Sequence, residues 1–142
     1  MADARIKASL MAGRYKTYHT RDFIRRTETG TLDLRRSIYA VRELAAAAAY
    51  HEDCNVVIDL RDAETHWHFG QLITVALEFA RHRDVFRNRI ATIIPDVPER
   101  IANAQFFREH MGRQGLLFEY FTDFESAIEW LSIVREYPTQ PL

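Results

Sequence analysis

The chain has 142 residues, of which 47% are hydrophobic and 27% charged, and this suits one globular domain with its own core. The net charge of −1 excludes a general electrostatic attraction to nucleic acid or to an anionic membrane surface. The single cysteine, Cys54, excludes an intrachain disulfide and a cysteine-cluster metal site, and it suits the reducing cytoplasm. Apolar runs stay below the ~18 residues of a membrane span, so no stable membrane insertion is expected.

The domain is expected to occupy residues 14–135, between a flexible leader of residues 1–13 and a tail of residues 136–142. The leader has no sustained hydrophobic stretch after Arg5 and Lys7, so it does not resemble a signal peptide. Pro138 and Pro141 mark the tail. No repeat or low-complexity linker divides the chain.

The first two elements are predicted to be strands. Residues 14–19 and 23–29 are rich in β-branched and aromatic side chains, and the polar break at residues 20–22 predicts a hairpin. Thr31 is then a plausible N-cap, with Asp33 in the first turn of a helix that reaches about His51.

The middle of the chain alternates between strands and helices. The apolar run Val56 to Leu60 predicts a central strand that is buried on both faces. A loop over residues 61–67 leads to a helix over residues 69–83, whose inner face is expected to include Phe69. Residues 90–94 form the next predicted strand.

The last third of the chain repeats this alternation. Pro98 suits the first position of a helix, which Gly112 and Gly115 are expected to close. A strand over residues 116–121 follows. Thr122 and Glu125 then have the spacing of a capping box before the last helix. The predicted class is therefore α/β, with a mixed central sheet and the order β-β-α-β-α-β-α-β-α. Its later strands should be parallel, with right-handed crossovers.

Several segments resemble anti-sigma-factor-antagonist-like (STAS) domains. They are the Thr-Gly-x-Leu-like helix start, the strand end Val-Val-Ile-Asp-Leu-Arg-Asp, the strand Ile-Ala-Thr-Ile-Ile-Pro-Asp and the closing Phe-Thr-Asp-Phe-Glu-Ser-Ala-Ile-Glu-Trp-Leu. The likeness extends from about Tyr15 to Leu131 and is strongest to the single-domain bacterial SpoIIAA-like branch. It implies a non-catalytic regulatory module that binds a protein partner or forms a homodimer.

One departure concerns the phosphorylated serine of that family. When Gly70 is placed on the family's glycine, the three preceding positions hold Trp67, His68 and Phe69, and none is a serine or threonine. Phosphorylation of the family's kind is therefore not expected at these positions. Thr65 is the nearby hydroxyl.

The candidate binding site is the loop after the central strand, because ligands of open α/β sheets lie beyond the carboxyl ends of strands. Trp67 is its expected anchor for a partner protein or small ligand, since tryptophan is enriched at binding hot spots. The alternative is that Trp67 only covers the start of the helix. The candidate residues are Asp62, Glu64, Thr65, His66, Trp67 and His68.

The sequence does not indicate a metal site or a catalytic site. His66 and His68 could ligate a metal with Asp62 or Glu64, or act as a pH-sensitive pair, but no distant ligand is identifiable, so no metal or cofactor is expected. Carboxylates at or near predicted strand ends are interpreted as helix caps rather than as a magnesium site. These carboxylates are Asp59, Asp62, Asp96 and Asp123, and the cap assignment applies to the last three.

No enzyme class is indicated. The serines lie outside any Gly-x-Ser-x-Gly elbow, and no glycine-rich phosphate loop occurs. An alternative to the regulatory module is a domain that binds a small hydrophobic ligand or lipid, similar to CRAL-TRIO domains. It is suggested by Phe106 and Phe107, of which one ring can face the core and the other a pocket.

Overall fold

The computed structural model describes residues 14–20, 22–51 and 53–138. The predicted leader, residues 1–13, lies outside the described residues, as does the end of the predicted tail, residues 139–142. The elements in chain order are β1 (Arg14–Thr20), β2 (Phe23–Thr31), α1 (Leu34–Tyr50), β3 (Asn55–Glu64), α2 (Phe69–Arg81), β4 (Ile90–Ile93), α3 (Pro98–Arg113), β5 (Phe118–Phe121), α4 (Phe124–Leu131) and β6 (Ser132–Pro138).

The central sheet has four parallel strands in the order β2-β3-β4-β5. Val56 pairs with Ile24 on one side and with Ile90 on the other, so β3 is an interior strand. This confirms the predicted α/β class and the central position of the strand at residues 56–60. The sheet is not mixed, because every pairing within it is parallel.

The predicted opening hairpin is wrong. Strand β1 pairs antiparallel with β6 in a separate two-stranded sheet, from Arg14 opposite Pro138 to Thr20 opposite Ser132. The Arg21-Asp22 connection has neither the glycine nor the asparagine that two-residue hairpin turns favour, and β2 pairs parallel with β3 instead. Residues 136–138 of the predicted tail belong to β6.

The sheet separates two hydrophobic clusters. Side chains alternate between the faces of a strand, so Val56 and Ile90 face α1, α2 and α3, whereas Val57 and Ala91 face α4. The sequential strand order places the three connecting helices on one face, because successive parallel crossovers have the same hand. Within the described ranges, no helix combines the length and the hydropathy that spanning a bilayer requires.

Two of the helices begin at an aspartate rather than at the predicted threonine. The N-cap of α1 is Asp33 instead of Thr31, and the N-cap of α4 is Asp123 instead of Thr122. Asp33 Oδ1 accepts from Arg36 N at 2.8 Å, so Asp33 is the N-cap of α1 and the prediction of Thr31 is wrong. Asp123 caps α4 by accepting from Ser126 N at 2.7 Å, as its assignment to a cap predicts, and Thr122 is not the cap. The short carboxylate reaches the free N–H groups of the first turn, and its charge is favourable there.

The other two predicted aspartate caps are wrong. Asp62 lies within β3, because that strand continues to Glu64. Asp96 precedes Val97, which is the N-cap residue of α3 and makes no side-chain capping bond. The first helical position of α3 is Pro98, as predicted, and its missing N–H costs no helical hydrogen bond.

Gly112 and Gly115 provide a matched test of the end of α3. Gly115 has a φ of +78°, and Leu116 N donates to Met111 O at 3.1 Å across it. We expect Gly115→Ala to lower the free energy of unfolding by about 1 kcal/mol, because a Cβ is strained at positive φ. Gly112 is helical and a Cβ there meets nothing within 4 Å, so Gly112→Ala should raise stability by about 0.5 kcal/mol. Urea denaturation measures both; equal effects would contradict the assignment of the helix end.

Candidate ligand-binding cavity

A cavity of about 90 Å³ lies between the parallel sheet and helices α1, α2 and α3. Its walls are formed largely by apolar side chains, including Leu44 of α1, Phe79 of α2, Phe107 of α3 and Phe118 of β5. Phe107 also packs edge-on against Phe79 and Phe118, with ring centroids 6.2 and 5.1 Å apart. The cavity is therefore continuous with the larger hydrophobic core.

Short side chains on the helices account for this space. Ala40 of α1 and Ala104 of α3 are both buried and line the cavity. Ser37 also lines it and donates its hydroxyl to Asp33 O at 2.7 Å, which satisfies the hydroxyl within its own helix. Longer side chains at these positions would close the gap, because protein interiors otherwise pack densely.

Polar side chains line the cavity towards the carboxyl end of β3, here called its polar end, and four of their buried atoms have no hydrogen-bond partner among the described residues. They are Arg26 Nε and Glu28 Oε1 on β2, Thr65 Oγ1 in the loop after β3, and Trp67 Nε1 in the same loop. Glu28 and Thr65 are only 6% and 7% exposed. Buried polar atoms almost always have a partner, so four at one cavity indicate a place where a polar group binds.

The charges of Arg26 and Glu28 are balanced locally. Arg26 Nη2 lies 2.9 Å from Glu43 Oε1 and 3.6 Å from Glu28 Oε1. Arg36 Nη2 lies 3.5 Å from Glu28 Oε2. Two arginines thus face two glutamates, and this group contributes no net charge to the cavity.

Arg100 brings an additional positive charge to the same cavity. Its Nη1 donates to Ala63 O at 2.7 Å and its Nη2 to Leu60 O at 3.0 Å, which ties the start of α3 to the end of β3. No carboxylate of the described residues lies within ion-pair distance of Arg100. Burial therefore lowers the pKa of the guanidinium, against a small opposing effect of Glu99.

The structure brings only two of the six predicted loop residues to the cavity. Thr65 is buried and Trp67 is half-buried, and both line it. The other four residues are exposed. Two of these belong to β3 rather than to the loop, because the strand extends beyond its predicted end: Asp62 pairs with Thr29 and Glu64 with Thr31. The remaining two exposed residues are His66 and His68.

The two histidines belong to no cluster of metal-ligating side chains among the described residues. In the part of the chain that the structure describes, no three His, Cys, Asp or Glu side chains come close enough to hold an ion. His68 instead precedes α2, and its backbone N–H donates to Gln71 Oε1 at 3.3 Å. The buried hydroxyl of Thr65 is withdrawn from the surface, which disfavours its modification by a kinase.

Two other buried carboxylates lie outside the cavity and are held by ion pairs. On the α4 side of the sheet, Asp59 accepts hydrogen bonds from Arg61 and Arg25, and the bond from the Arg61 side chain is the main cause of its lowered pKa. Glu78 of α2 pairs with Arg42 and His82; burial alone would raise its pKa, but these partners together lower it. Both groups are structural anchors for their elements.

The aromatic pair at residues 106 and 107 divides between surface and core. Phe107 lines the cavity, as one of the two rings was expected to do. Phe106 instead stacks on Phe69, with centroids 4.1 Å apart. Phe69 is 53% exposed, so its assignment to the inner face of α2 is wrong.

Comparison with protein-family models, with curated proteins and with solved structures finds no match to this chain. Nothing therefore identifies a STAS domain, and that resemblance stays a prediction. The cavity must be interpreted from its own chemistry.

Three charged residues of the cavity are not among the predicted site residues, although the sequence pattern holds a signal for each. Ile24, Arg26 and Glu28 alternate along β2, so they share the face that packs against the core. Arg100 stands four residues before Ala104, on the same helical stripe that continues to Phe107 and Met111. A charged residue at a position that continues the apolar face of a helix or strand indicates that its side chain is buried.

Proposed function

We propose that this domain binds a small organic molecule in the cavity between the sheet and helices α1, α2 and α3. The apolar body of the molecule contacts Leu44, Phe79 and Phe107, and its polar group lies at the end of the cavity formed by Arg26, Glu28, Thr65 and Trp67. The observation that carries the proposal is the set of four buried, unpartnered polar atoms at that end.

The energetic cost of unpartnered polar atoms favours a binding site over an imperfect core. A buried polar atom left without a partner costs about 1–3 kcal/mol, so Arg26 Nε, Thr65 Oγ1 and Trp67 Nε1 together would consume much of the stability of a domain this size. Ordered water removes that cost in the empty cavity, and the polar group of a bound ligand removes it after displacing the water. Pockets with mostly apolar walls and a few polar atoms are typical of small-molecule sites.

The position of the polar end agrees with a general property of open α/β sheets. Thr65 and Trp67 follow the carboxyl end of β3, and Arg100 is fixed to the carbonyl groups of Leu60 and Ala63 there. Ligands of such sheets bind beyond the carboxyl ends of the strands. This supports the ligand-binding alternative over the protein-interaction module, because Trp67 contributes to the cavity wall. A regulatory role through a protein partner or homodimer stays a prediction.

The proposal is tested with neutral probes of small size. Toluene, benzyl alcohol and hexanol are titrated against the folded chain, and the unfolding temperature and the NMR signal of the Trp67 indole N–H are recorded. A probe present at a hundred times its dissociation constant should stabilise the domain by about 2.7 kcal/mol. At least one probe is expected to raise the unfolding temperature and to shift the indole signal.

Alanine-to-leucine pairs show whether the probes bind in the cavity. Ala104→Leu and Ala40→Leu each place a larger side chain in the cavity, and both should abolish the response to the probes. Ala102→Leu and Ala46→Leu are the matched controls, since they are exposed positions on the same two helices. An unresponsive wild-type domain, or filled variants that respond as well as the controls do, would refute the proposal.

A further inference from the structure

The unpartnered atoms at the polar end of the cavity are mainly hydrogen-bond donors. Arg26 Nε–H and Trp67 Nε1–H can only donate, and the hydroxyl of Thr65 can donate or accept. Glu28 Oε1 is an acceptor, and Arg26 Nη2 lies 3.6 Å from it as an ion pair. A molecule that satisfies this end must therefore present at least two acceptor sites close together. A carboxylate meets that requirement with two oxygens, whereas a carbonyl or hydroxyl group offers only the two lone pairs of a single oxygen.

The charged side chains at the polar end of the cavity favour a negatively charged carboxylate over a neutral acceptor group. Arg26 and Arg36 are balanced by Glu28 and Glu43, and Arg100 remains without a carboxylate partner among the described residues. Its guanidinium uses Nη1 and Nη2 on backbone carbonyl groups but retains further N–H groups. The cavity thus carries one uncompensated positive charge beside its donors.

The size and charge of the cavity limit the molecule further. A volume of about 90 Å³ is smaller than the roughly 150 Å³ of a cavity that accepts benzene, so the molecule can be no larger than a single ring or a short alkyl chain with one head group. A phosphate monoester would bring nearly two negative charges beside the buried Glu28. One negative charge matches one free arginine.

We infer that the ligand is a small monocarboxylic acid, bound as its carboxylate to Arg100 and to the unpartnered donors of Arg26, Trp67 and Thr65. Its aromatic or short aliphatic body lies in the apolar part of the cavity. This inference rests on the proposed function, because it names the class of molecule that the same cavity takes. Arg–carboxylate pairs are charge-assisted and are among the stronger hydrogen-bonded contacts in proteins. Arg100 selects the charge, and the Trp67 N–H fixes the orientation of the head group.

The test compares benzoate with benzamide, which has nearly the same shape but no charge, and with phenyl phosphate. Dissociation constants are measured by calorimetry at constant ionic strength. Benzoate should bind roughly tenfold to a hundredfold more tightly than benzamide, which is the range expected for a charge-assisted contact, and more tightly than phenyl phosphate. Benzoate should also move the NMR signal of the Trp67 indole N–H downfield.

Three variants assign the preference to residues. Arg100→Met should abolish the preference for benzoate while leaving benzamide binding in place, and Arg100→Lys should restore part of it. Trp67→Phe keeps an aromatic ring but removes the N–H, so it should weaken benzoate binding without unfolding the domain. Arg108→Met is the control on the same helix, because Arg108 is exposed and pairs with Glu119.

The outcomes separate this inference from the proposed function. Three results would overturn the assignment of a monocarboxylate: equal affinity for benzoate and benzamide, a preference for phenyl phosphate, or a benzoate preference that survives in Arg100→Met. Binding of the neutral probes would still support the cavity proposal in each of these cases. Failure of both the charged and the neutral probes to bind would overturn the two together.

Discussion

Replacement of Phe79 by alanine is expected to lower the free energy of unfolding by about 3–5 kcal/mol. Phe79 is only 3% exposed, and its ring packs against those of Phe86 and Phe107, with centroids 5.2 and 6.2 Å away. Truncation removes these contacts and enlarges the existing cavity, because the helix and the sheet cannot collapse fully around an alanine. Urea denaturation followed by circular dichroism measures the loss.

The matched control for this change is Leu77→Ala, two residues earlier on the same helix. Leu77 is 49% exposed, so its truncation should alter stability by about 0.5 kcal/mol or less. The enlarged cavity of Phe79→Ala should also bind toluene, which would restore part of the lost stability. A loss below about 1 kcal/mol for Phe79→Ala would show that α2 does not close the core in the described way.

Loss of the Asp59 carboxylate is expected to have the second largest effect. Its Oδ1 accepts from the backbone N and Nε of Arg61 at 3.1 and 3.0 Å, and its Oδ2 accepts from Nη2 of Arg61 and of Arg25 at 2.7 and 3.3 Å. Both arginines are partly exposed, which weakens the pairs. Asp59→Ala should therefore cost about 1–2 kcal/mol at pH 7.

The effect should depend on pH in a defined direction. Arg61 holds the pKa of Asp59 below its usual value of 3.8, so the folded state favours the carboxylate. The stabilisation by the Asp59 carboxylate is complete above the pKa that Asp59 has in the unfolded chain. It is lost as the pH falls through the lower pKa that Asp59 has in the folded state. The stability difference between wild type and Asp59→Ala should thus persist at pH 6 and shrink towards pH 2. Asp62→Ala, at an exposed position of the same strand, should show little effect at either pH.

The sequence allowed the prediction of elements whose pattern is local. The apolar run at β3, the spacing of α2 and the proline at the start of α3 each identify a segment without reference to its partner. Strand pairing is different, because β1 and β2 have the composition of strands but nothing local states which strand each one contacts. The pairing of β1 with β6 joins segments more than a hundred residues apart, and the local signs of a final strand are limited to Ile133, Val134 and Tyr137.

The cavity was only partly predictable, for a related reason. Thr65 and Trp67 follow a buried strand, and a general rule for α/β sheets marks that position. Arg26, Glu28 and Arg100 are charged residues on a strand and a helix, and such residues usually face solvent. Their burial depends on how β2 and α3 are placed around β3, which is a tertiary property. The free volume itself follows from the alanines of two helices meeting over one sheet.

A crystal of the domain soaked in bromobenzene tests the central claim most directly, because bromine is located by its anomalous scattering. We expect one strong peak inside the cavity, against Leu44, Phe79 and Phe107, and no peak there in Ala104→Leu. Bromine found only on the outer surface, or a wild-type core whose side chains fill the space completely, would contradict the claim.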